Sequence, residues 1–160
     1  MTDLGEQVAA IPMKWTKDGD LRILLVTSRD TGRWVLPKGW IMSGKKPWRA
    51  AESEALEEAG VKGYISREHI GDYEYDKKLD DGTVVPLRVN VYPMIVEKVK
   101  RNWKERRERK RHWFSAKGAA KAVNEESLTR LLDQLQKKPH KQPVIRLCGS
   151  PPITSLCSCC

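Results

Sequence analysis

Three glutamates on one short segment place the strongest constraint on this chain. Glu54, Glu57 and Glu58 lie between Pro47, which suits the first turn of a helix, and Gly60, which suits a helix C-cap. The residues between are rich in Ala, Glu and Leu and predict one helix. Side chains three and four positions apart are neighbours on a helix, so these carboxylates repel one another unless a cation joins them. Mg²⁺ and Mn²⁺ prefer oxygen ligands and bind substrate phosphates, so the segment indicates phosphate chemistry.

The basic composition points to partners of the same kind. A formal net charge of +9 and a pI near 9.5 favour a polyanion, which includes nucleic acid, an acidic membrane surface and a polyphosphorylated small molecule. Solubility alone is the simpler explanation of the same charge. No apolar run approaches the roughly 20 residues of a membrane span, and the first residues lack the basic start of a secretory signal. We therefore expect no membrane partner and a cytoplasmic location.

Cysteine occurs only near the C-terminus. The body of the chain has none, which excludes a disulfide framework and fits a reducing compartment. Residues 138–160 are rich in Pro, Ser and Cys without periodicity, and we interpret them as a flexible tail after a single domain of residues 1–137. Soft-metal binding by the tail is the alternative interpretation. The cysteines concerned are Cys148, Cys157, Cys159 and Cys160.

Apolar runs separated by turn signals predict a mixed sheet with helices packed on it. Residues 8–15 and 21–28 predict a hairpin around Asp18-Gly19-Asp20. A loop is predicted from Pro37, and Pro93 predicts a bulge or an edge. The fold class is therefore α/β or α+β, in a layered sandwich. Further predicted strands are 34–36, 65–75 (with a bend), 84–99 and 111–115, and further predicted helices are 118–123 and 125–136.

The segment Gly39–Val61 resembles the Nudix box, G-x5-E-x7-R-E-U-x-E-E-x-G-U, in which U is aliphatic. Two positions depart from this pattern, because Lys45 stands where the box has Glu and Ser53 where it has Arg. Since both members of an oppositely charged pair are replaced, no orphaned charge remains. The resemblance implies an active hydrolase with a Nudix-type α/β/α sandwich and a mixed β-sheet. The matching positions are Gly39, Glu54, Ala55, Glu57, Glu58, Gly60 and Val61.

The resemblance also implies a metal site and its chemistry. Glu54, Glu57 and Glu58 would bind Mg²⁺ or Mn²⁺ with a backbone carbonyl near Lys38 and Gly39. Such a cation neutralises charge on phosphate oxygens and acidifies bound water. Either Glu54 or Glu58 would be the catalytic base. Carboxylates outside the box stay open as alternatives, namely Asp72, Glu74 and Asp76.

Three segments indicate a particular branch of this family. LLVTSRDTGRWVLPKG, EEAGVKG and KRHWFSAKGAAKAV are similar to the diphosphoinositol polyphosphate phosphohydrolase branch. This implies hydrolysis of a diphosphate linkage in diphosphoinositol polyphosphates or dinucleoside polyphosphates, by a monomer or a homodimer. Arginine and lysine hold phosphates well. The candidate substrate contacts are Arg29, Arg33, Lys38, Arg88, Arg109 and Arg111.

The basic run Lys98–Arg111 has three interpretations. It holds nine basic and two acidic residues, and Trp103 offers a stacking surface for RNA. It could instead form the rim of a polyphosphate pocket, or a solvated loop in which Glu105 and Glu108 pair with nearby arginines. The RNA interpretation gives the alternative function, an RNA- or nucleotide-binding protein or RNA 5′-pyrophosphohydrolase with weakened catalysis.

Overall fold

The computed structural model describes residues 5–137, so the predicted tail and its cysteines lie outside the described residues. Within that range one mixed sheet is flanked by helices. The strands are β1 Gly5–Trp15, β2 Leu21–Thr27, β3 Trp34–Val35, β4 Lys38–Trp40, β5 Val61–Ile65, β6 Gly71–Lys78, β7 Val84–Val99 and β8 Arg111–Ser115. The helices are α1 Pro47–Glu54, which continues as a π-helical turn over Ala55–Ala59 (the π turn), α2 Ala116–Ala122 and α3 Glu126–Lys137.

Two long parallel strands form the centre of the sheet. β1 runs beside β7 from the pair Gly5–Leu87 to the pair Met13–Ile95, whereas the other pairings are antiparallel. The main strand order is β3-β2-β1-β7-β5, with β4 on β1, β6 on β7 and β8 on β2. Central parallel strands are covered on both faces, which is why β1 is a continuous buried apolar run.

Each face of the sheet has its own core. Ile11 and Met13 pack with α2 and α3 on one face, while Val8 and Ala10 pack with α1 and the π turn on the other. This division follows the two-residue alternation of a strand. The alanines Ala51, Ala55 and Ala59 are buried here, since none of them has exposed surface. The structure therefore confirms a mixed-sheet α/β/α sandwich.

The single strand predicted over residues 65–75 is wrong. β5 ends at Ile65 and β6 begins at Gly71, because the two strands pair with different parts of β7. Pro93 lies between these two ladders, and its carbonyl accepts a hydrogen bond from the Ser66 N–H at 3.0 Å. A proline fits there because neither β5 nor β6 needs an N–H donor from that position.

The loop predicted from Pro37 includes a strand instead. β4 pairs antiparallel with β1, with Gly39 opposite Val8 and Lys38 opposite Ala9. Three residues carry too little pattern to signal a strand, and the pairing depends on β1, about thirty positions earlier in the chain. β4 brings the backbone of Lys38 and Gly39 beside the glutamate-bearing helix.

Candidate active site

The glutamates lie where α1 passes into the π turn. The predicted extent is confirmed, because the helical segment begins at Pro47 and ends at Gly60, whose φ of +68° suits glycine. Its last five residues are π-helical, a rare conformation that is frequent at functional sites. Glu58 is buried, at 6% exposure, whereas Glu57 lies nearer the surface and pairs with Lys104 at 3.4 Å. The three side chains therefore do not share one environment.

Glu54 and Glu58 form a closely interacting pair. Burial raises the pKa of Glu54, and the charge of Glu57 adds to this shift. Burial raises the pKa of Glu58 to about 8, against the opposing charge of Arg109 and with the help of Glu54. The effect of burial on this pKa exceeds that of Arg109 because the Glu58 carboxylate loses nearly all contact with water. Burial and mutual repulsion therefore favour the protonated form of these two carboxyl groups as long as no cation lies between them.

β4 encloses this pair from one side. The Lys38 N–H donates a hydrogen bond to Glu58 Oε1 at 3.3 Å. A Cβ added at Gly39 would overlap the Glu54 carboxylate, so glycine permits the close approach of backbone and side chain. Carboxylate and backbone oxygens are the donors that a hard divalent cation prefers. These residues fit Mg²⁺ or Mn²⁺, although no three Asp, Glu, His or Cys side chains within residues 5–137 already converge as a complete metal site.

Arg109 connects the glutamates to the segment between β7 and β8, residues 100–110, which we call the basic loop. Its Nη2 lies 3.6 Å from Glu58 Oε2, and its Nε donates to Glu105 Oε1 at 2.6 Å. A further hydrogen bond of 2.9 Å runs from Nη1 to the Thr27 carbonyl. The structure thus brings this predicted phosphate contact directly to the carboxylates, with its side chain largely buried.

The other predicted contacts are dispersed around the sheet. Arg29 is exposed and pairs with Glu108 at 3.7 Å, and Arg33 pairs with Glu125 at 3.2 Å. Arg111 donates to the backbone carbonyls of Ala59 and Lys100, and it forms no ion pair with a glutamate of residues 5–137.

Lys38 has a buried ammonium group, and Arg88 has a buried Nε without a hydrogen-bond acceptor among the described residues. Burial lowers the pKa of Lys38, although the charges of Glu58 and Glu125 oppose the shift. Arg88 pairs with Glu74 at 3.7 Å, but its buried Nε has no hydrogen-bond partner among the described residues. An anionic ligand would supply what both side chains lack.

Several neighbours of Lys38 were missed from the sequence. Lys38 Nζ lies 5.1 Å from the centre of the Tyr75 ring, and Tyr75 Oη donates to Gln7 Oε1 at 2.8 Å. Burial raises the pKa of Tyr75 to about 12, and Glu125 adds to the shift. These contacts join residues far apart in sequence, so the one available signal was the alternation of aromatic residues on β6. The same alternation places the alternative bases Asp72, Glu74 and Asp76 on the face of β6 opposite Tyr75.

The two positions that depart from the box contact each other. Lys45 Nζ donates a hydrogen bond to Ser53 Oγ at 3.1 Å on the exposed side of α1. The loop before α1 is thus tied to the helix by a neutral acceptor where the pattern has opposite charges.

The basic loop and Arg111, the first residue of β8, satisfy four consecutive carbonyls at the end of the helix. The Glu57 carbonyl accepts from the Glu105 N–H at 3.0 Å, and the Gly60 carbonyl from the Lys100 N–H at 2.8 Å. The Glu58 carbonyl accepts from Trp103 Nε1 at 3.1 Å, and the Ala59 carbonyl from Arg111 Nη1 at 2.8 Å. The last carbonyls of a helix have no partner inside it, so this loop holds the glutamate-bearing segment in place.

The model of the NUDIX domain family matches residues 6–135, and the chain belongs to this family. Nudix enzymes generally use divalent metal ions. The fold is shared with solved structures at low identity. An Ap4A hydrolase of C. elegans superposes with a TM-score of 0.61 and 17% identity, covering 84% of this chain and 98% of that one. A NUDIX hydrolase of Nitrosomonas europaea superposes with a TM-score of 0.65 and 18% identity, covering 91% of this chain and 96% of that one.

Curated relatives include Nudix hydrolase 12, mitochondrial, of Arabidopsis thaliana, 30% identical over 117 residues, which are 71% of this chain and 58% of the relative. Human diphosphoinositol polyphosphate phosphohydrolase 3-beta is 32% identical over 103 residues, 63% of this chain and 58% of the relative. The chain spans little more than half the length of these relatives. Within residues 5–137 no helix has the length and apolar character that crossing a membrane requires.

Proposed function

We propose that this chain hydrolyses a diphosphate linkage in dinucleoside polyphosphates or diphosphoinositol polyphosphates, with Mg²⁺ or Mn²⁺ as cofactor. The observation that carries the proposal is the position of the Glu54 and Glu58 carboxylates, placed against the backbone of Lys38 and Gly39 and beside Arg109. Relatives named diphosphoinositol polyphosphate phosphohydrolase and a fold neighbour named Ap4A hydrolase support the substrate class.

The cation would be held by Glu54, Glu57 and Glu58 with a backbone carbonyl near Lys38 and Gly39. When bound, it neutralises charge on phosphate oxygens and acidifies a water molecule. Glu57 is available because its partner Lys104 is exposed and the pair is a weak surface contact. With the cation bound and the carboxylates deprotonated, Glu54 or Glu58 would accept the proton of the attacking water.

The basic side chains would bind and orient the phosphates. Arg88 offers a buried Nε that lacks an acceptor, and a phosphate oxygen would provide one. Lys38 is poorly solvated, so an adjacent phosphate would favour its charged form. Arg109 is held by Glu105 and keeps positive charge beside Glu58. Arg33 and Arg29 would contact phosphates further from the carboxylates, after exchanging their glutamate partners.

The test is a substrate panel assayed with Mg²⁺ and with Mn²⁺. It contains diadenosine polyphosphates, inositol pyrophosphates, ADP-ribose, nucleoside triphosphates and 5′-triphosphate RNA. Glu57→Gln and Glu58→Gln are expected to lower kcat by about a hundredfold or more on the preferred substrate. Glu52→Gln is the control, because Glu52 lies on the same helix and pairs with exposed Arg49. Full activity in both Glu57→Gln and Glu58→Gln would contradict the ligand assignment.

RNA or nucleotide binding with weak catalysis is the second candidate function. The observation that favours it is the exposure of Arg101, Arg106 and Arg107, which make no ion pair with a described carboxylate. It predicts RNA binding that weakens steeply with salt and when Arg106 and Arg107 are neutralised. Absence of RNA binding near physiological salt would remove it. The cytoplasmic location and the choice between monomer and homodimer stay predictions, to be tested by cell fractionation and by sedimentation.

A further inference from the structure

A second charged site lies beside the helix end. A cavity of about 520 Å³ is lined by Arg101, Asn102, Trp103, Arg106 and Arg111, and we call it the arginine cavity. Its volume falls within the range of small-ligand sites, roughly 300–1,000 Å³. None of the glutamates of the active site lines it.

No carboxylate within residues 5–137 forms an ion pair with the arginines of the arginine cavity. Arg101, Arg106 and Arg111 form no ion pair with a carboxylate of residues 5–137, whereas Arg29, Arg33, Arg88 and Arg109 each pair with a glutamate. Burial and the charge of Arg106 lower the pKa of Arg111, so the two guanidinium groups are close enough to repel each other. Like charges held together without a counter-ion mark a place where an anion would bind favourably.

The cavity is also held rigidly. Arg111 is fixed by hydrogen bonds to the Ala59 and Lys100 carbonyls, and its guanidinium lies 3.8 Å from the centre of the Trp103 ring. Trp103 is fixed in turn by the Glu58 carbonyl, and Arg106 donates a hydrogen bond to the side chain of Asn102. A ligand would therefore meet arranged donors and would spend little free energy on ordering them.

We propose that the arginine cavity is a binding site for the phosphate groups of a compact polyphosphorylated small molecule, distinct from the carboxylate site and independent of divalent metal. Guanidinium groups bind phosphates through paired, charge-assisted hydrogen bonds, and the Asn102 amide adds a neutral donor. The site lies on the loop that holds the glutamates, so an occupant would rest against the active site without using its ligands. The proposal does not depend on hydrolysis.

Titration calorimetry with tripolyphosphate in EDTA, at about physiological ionic strength, tests the proposal. The variant Arg101→Gln/Arg106→Gln is expected to bind at least about tenfold more weakly, because two charge-assisted donors are lost. Both residues are exposed, so the variant should fold, and thermal unfolding checks this. Arg101→Lys/Arg106→Lys should recover part of the affinity. The control Lys98→Gln/Lys110→Gln removes two charges from the same basic run outside the cavity and should change the affinity less than about threefold.

The Glu58→Gln variant separates this proposal from the hydrolase proposal. Metal-free tripolyphosphate binding should persist in Glu58→Gln, whatever the effect on hydrolysis. Equal loss of affinity in Arg101→Gln/Arg106→Gln and in the control Lys98→Gln/Lys110→Gln would show diffuse electrostatic attraction and would overturn the proposed site. Absence of saturable binding would also overturn it. Cavity-dependent binding of a 5′-hydroxyl RNA oligonucleotide, with no binding of tripolyphosphate, would reject the small-molecule assignment and make the surface an RNA contact.

Discussion

The carboxylate pair and the arginine cavity occupy the same helix end and leave opposite charges unbalanced. At the pair, Glu54 and Glu58 are buried together, and burial raises the pKa of both. At the cavity, Arg106 and Arg111 repel each other, and no glutamate lines the cavity. Elsewhere in the described structure most arginines meet a carboxylate. The two regions thus suit ligands of opposite charge, a cation at the pair and a phosphate at the cavity, as proposed above.

Arg109 differs from the arginines of the cavity because it pairs with glutamates. It belongs to the basic loop, yet it is the arginine that contacts the acidic pair, and it is buried with Glu58 and Glu105. Without it the carboxylate site would have no positive neighbour from the loop. The contrast predicts that Arg109 matters for stability, whereas the cavity arginines matter for ligand binding.

The largest expected effect comes from Arg109→Met. Removing one partner of a buried ion pair leaves Glu58 and Glu105 without their positive neighbour, which costs about 3–5 kcal/mol of unfolding free energy. Urea denaturation measures the difference. Arg101→Met is the matched control on the same loop and should change the free energy by only about 0.5 kcal/mol, because Arg101 is exposed. Equal losses in the two variants would erase the contrast between buried and cavity arginines.

A pH dependence of intermediate size is expected from Glu58. Its pKa is raised from 4.5 to about 8 in the folded protein, so the folded state binds a proton that the unfolded state has released. The metal-free protein should therefore be most stable below about pH 4.5, as far as this group is concerned, and lose stability as the pH rises to about 8. Thermal unfolding from pH 5 to 8 in EDTA tests this, and Glu58→Gln should show a smaller slope.

Adding a divalent metal ion gives a second test of a protonated Glu58 in the free protein. Metal binds the deprotonated carboxylates, so Mg²⁺ should counteract the loss of stability and release protons on binding near pH 7. Calorimetry in two buffers of different ionisation enthalpy measures those protons. Metal binding without proton release would contradict a protonated Glu58 in the free protein.

The smallest effect is expected at the exposed contact between Lys45 and Ser53. Ser53→Ala removes one solvent-accessible hydrogen bond and should lower the unfolding free energy by about 0.5 kcal/mol. It should leave tripolyphosphate binding unchanged, because neither residue lines the arginine cavity. Differential scanning calorimetry and the titration described above measure the two quantities. A loss above about 2 kcal/mol would show that this contact supports the helix and the two charged sites.

The elements predicted correctly from the sequence have strong hydrophobic periodicity or clear turn and capping residues at their ends. The hairpin around Gly19, the segment from Pro47 to Gly60 and the long strand β7 are confirmed because turns, caps and β-branched runs act locally. The break after Ile65 was missed because both flanking segments are β-rich, and only their separate places on β7 divide them. The π turn was missed because propensity does not distinguish it from an α-helix.

The candidate site shows the same division. The box glutamates and Gly39 were found because their spacing is local. Tyr75, Gln7, Glu105 and Glu125 were missed as site neighbours because their contacts arise only when separate strands and loops meet. The basic run was noted, but the sequence could not show which of its arginines would pair with glutamates.

The four carbonyls held by the basic loop and Arg111 imply an order of assembly. The glutamates are synthesised early, but the groups that fix Glu57 to Gly60 belong to residues 100 to 111. A nascent chain that stops before Arg111 would carry the complete motif on a helix whose end is not held. Competence for catalysis would therefore be acquired late, when the second half of the sheet closes on the first, and fragments of the chain would remain inert although they contain every box residue.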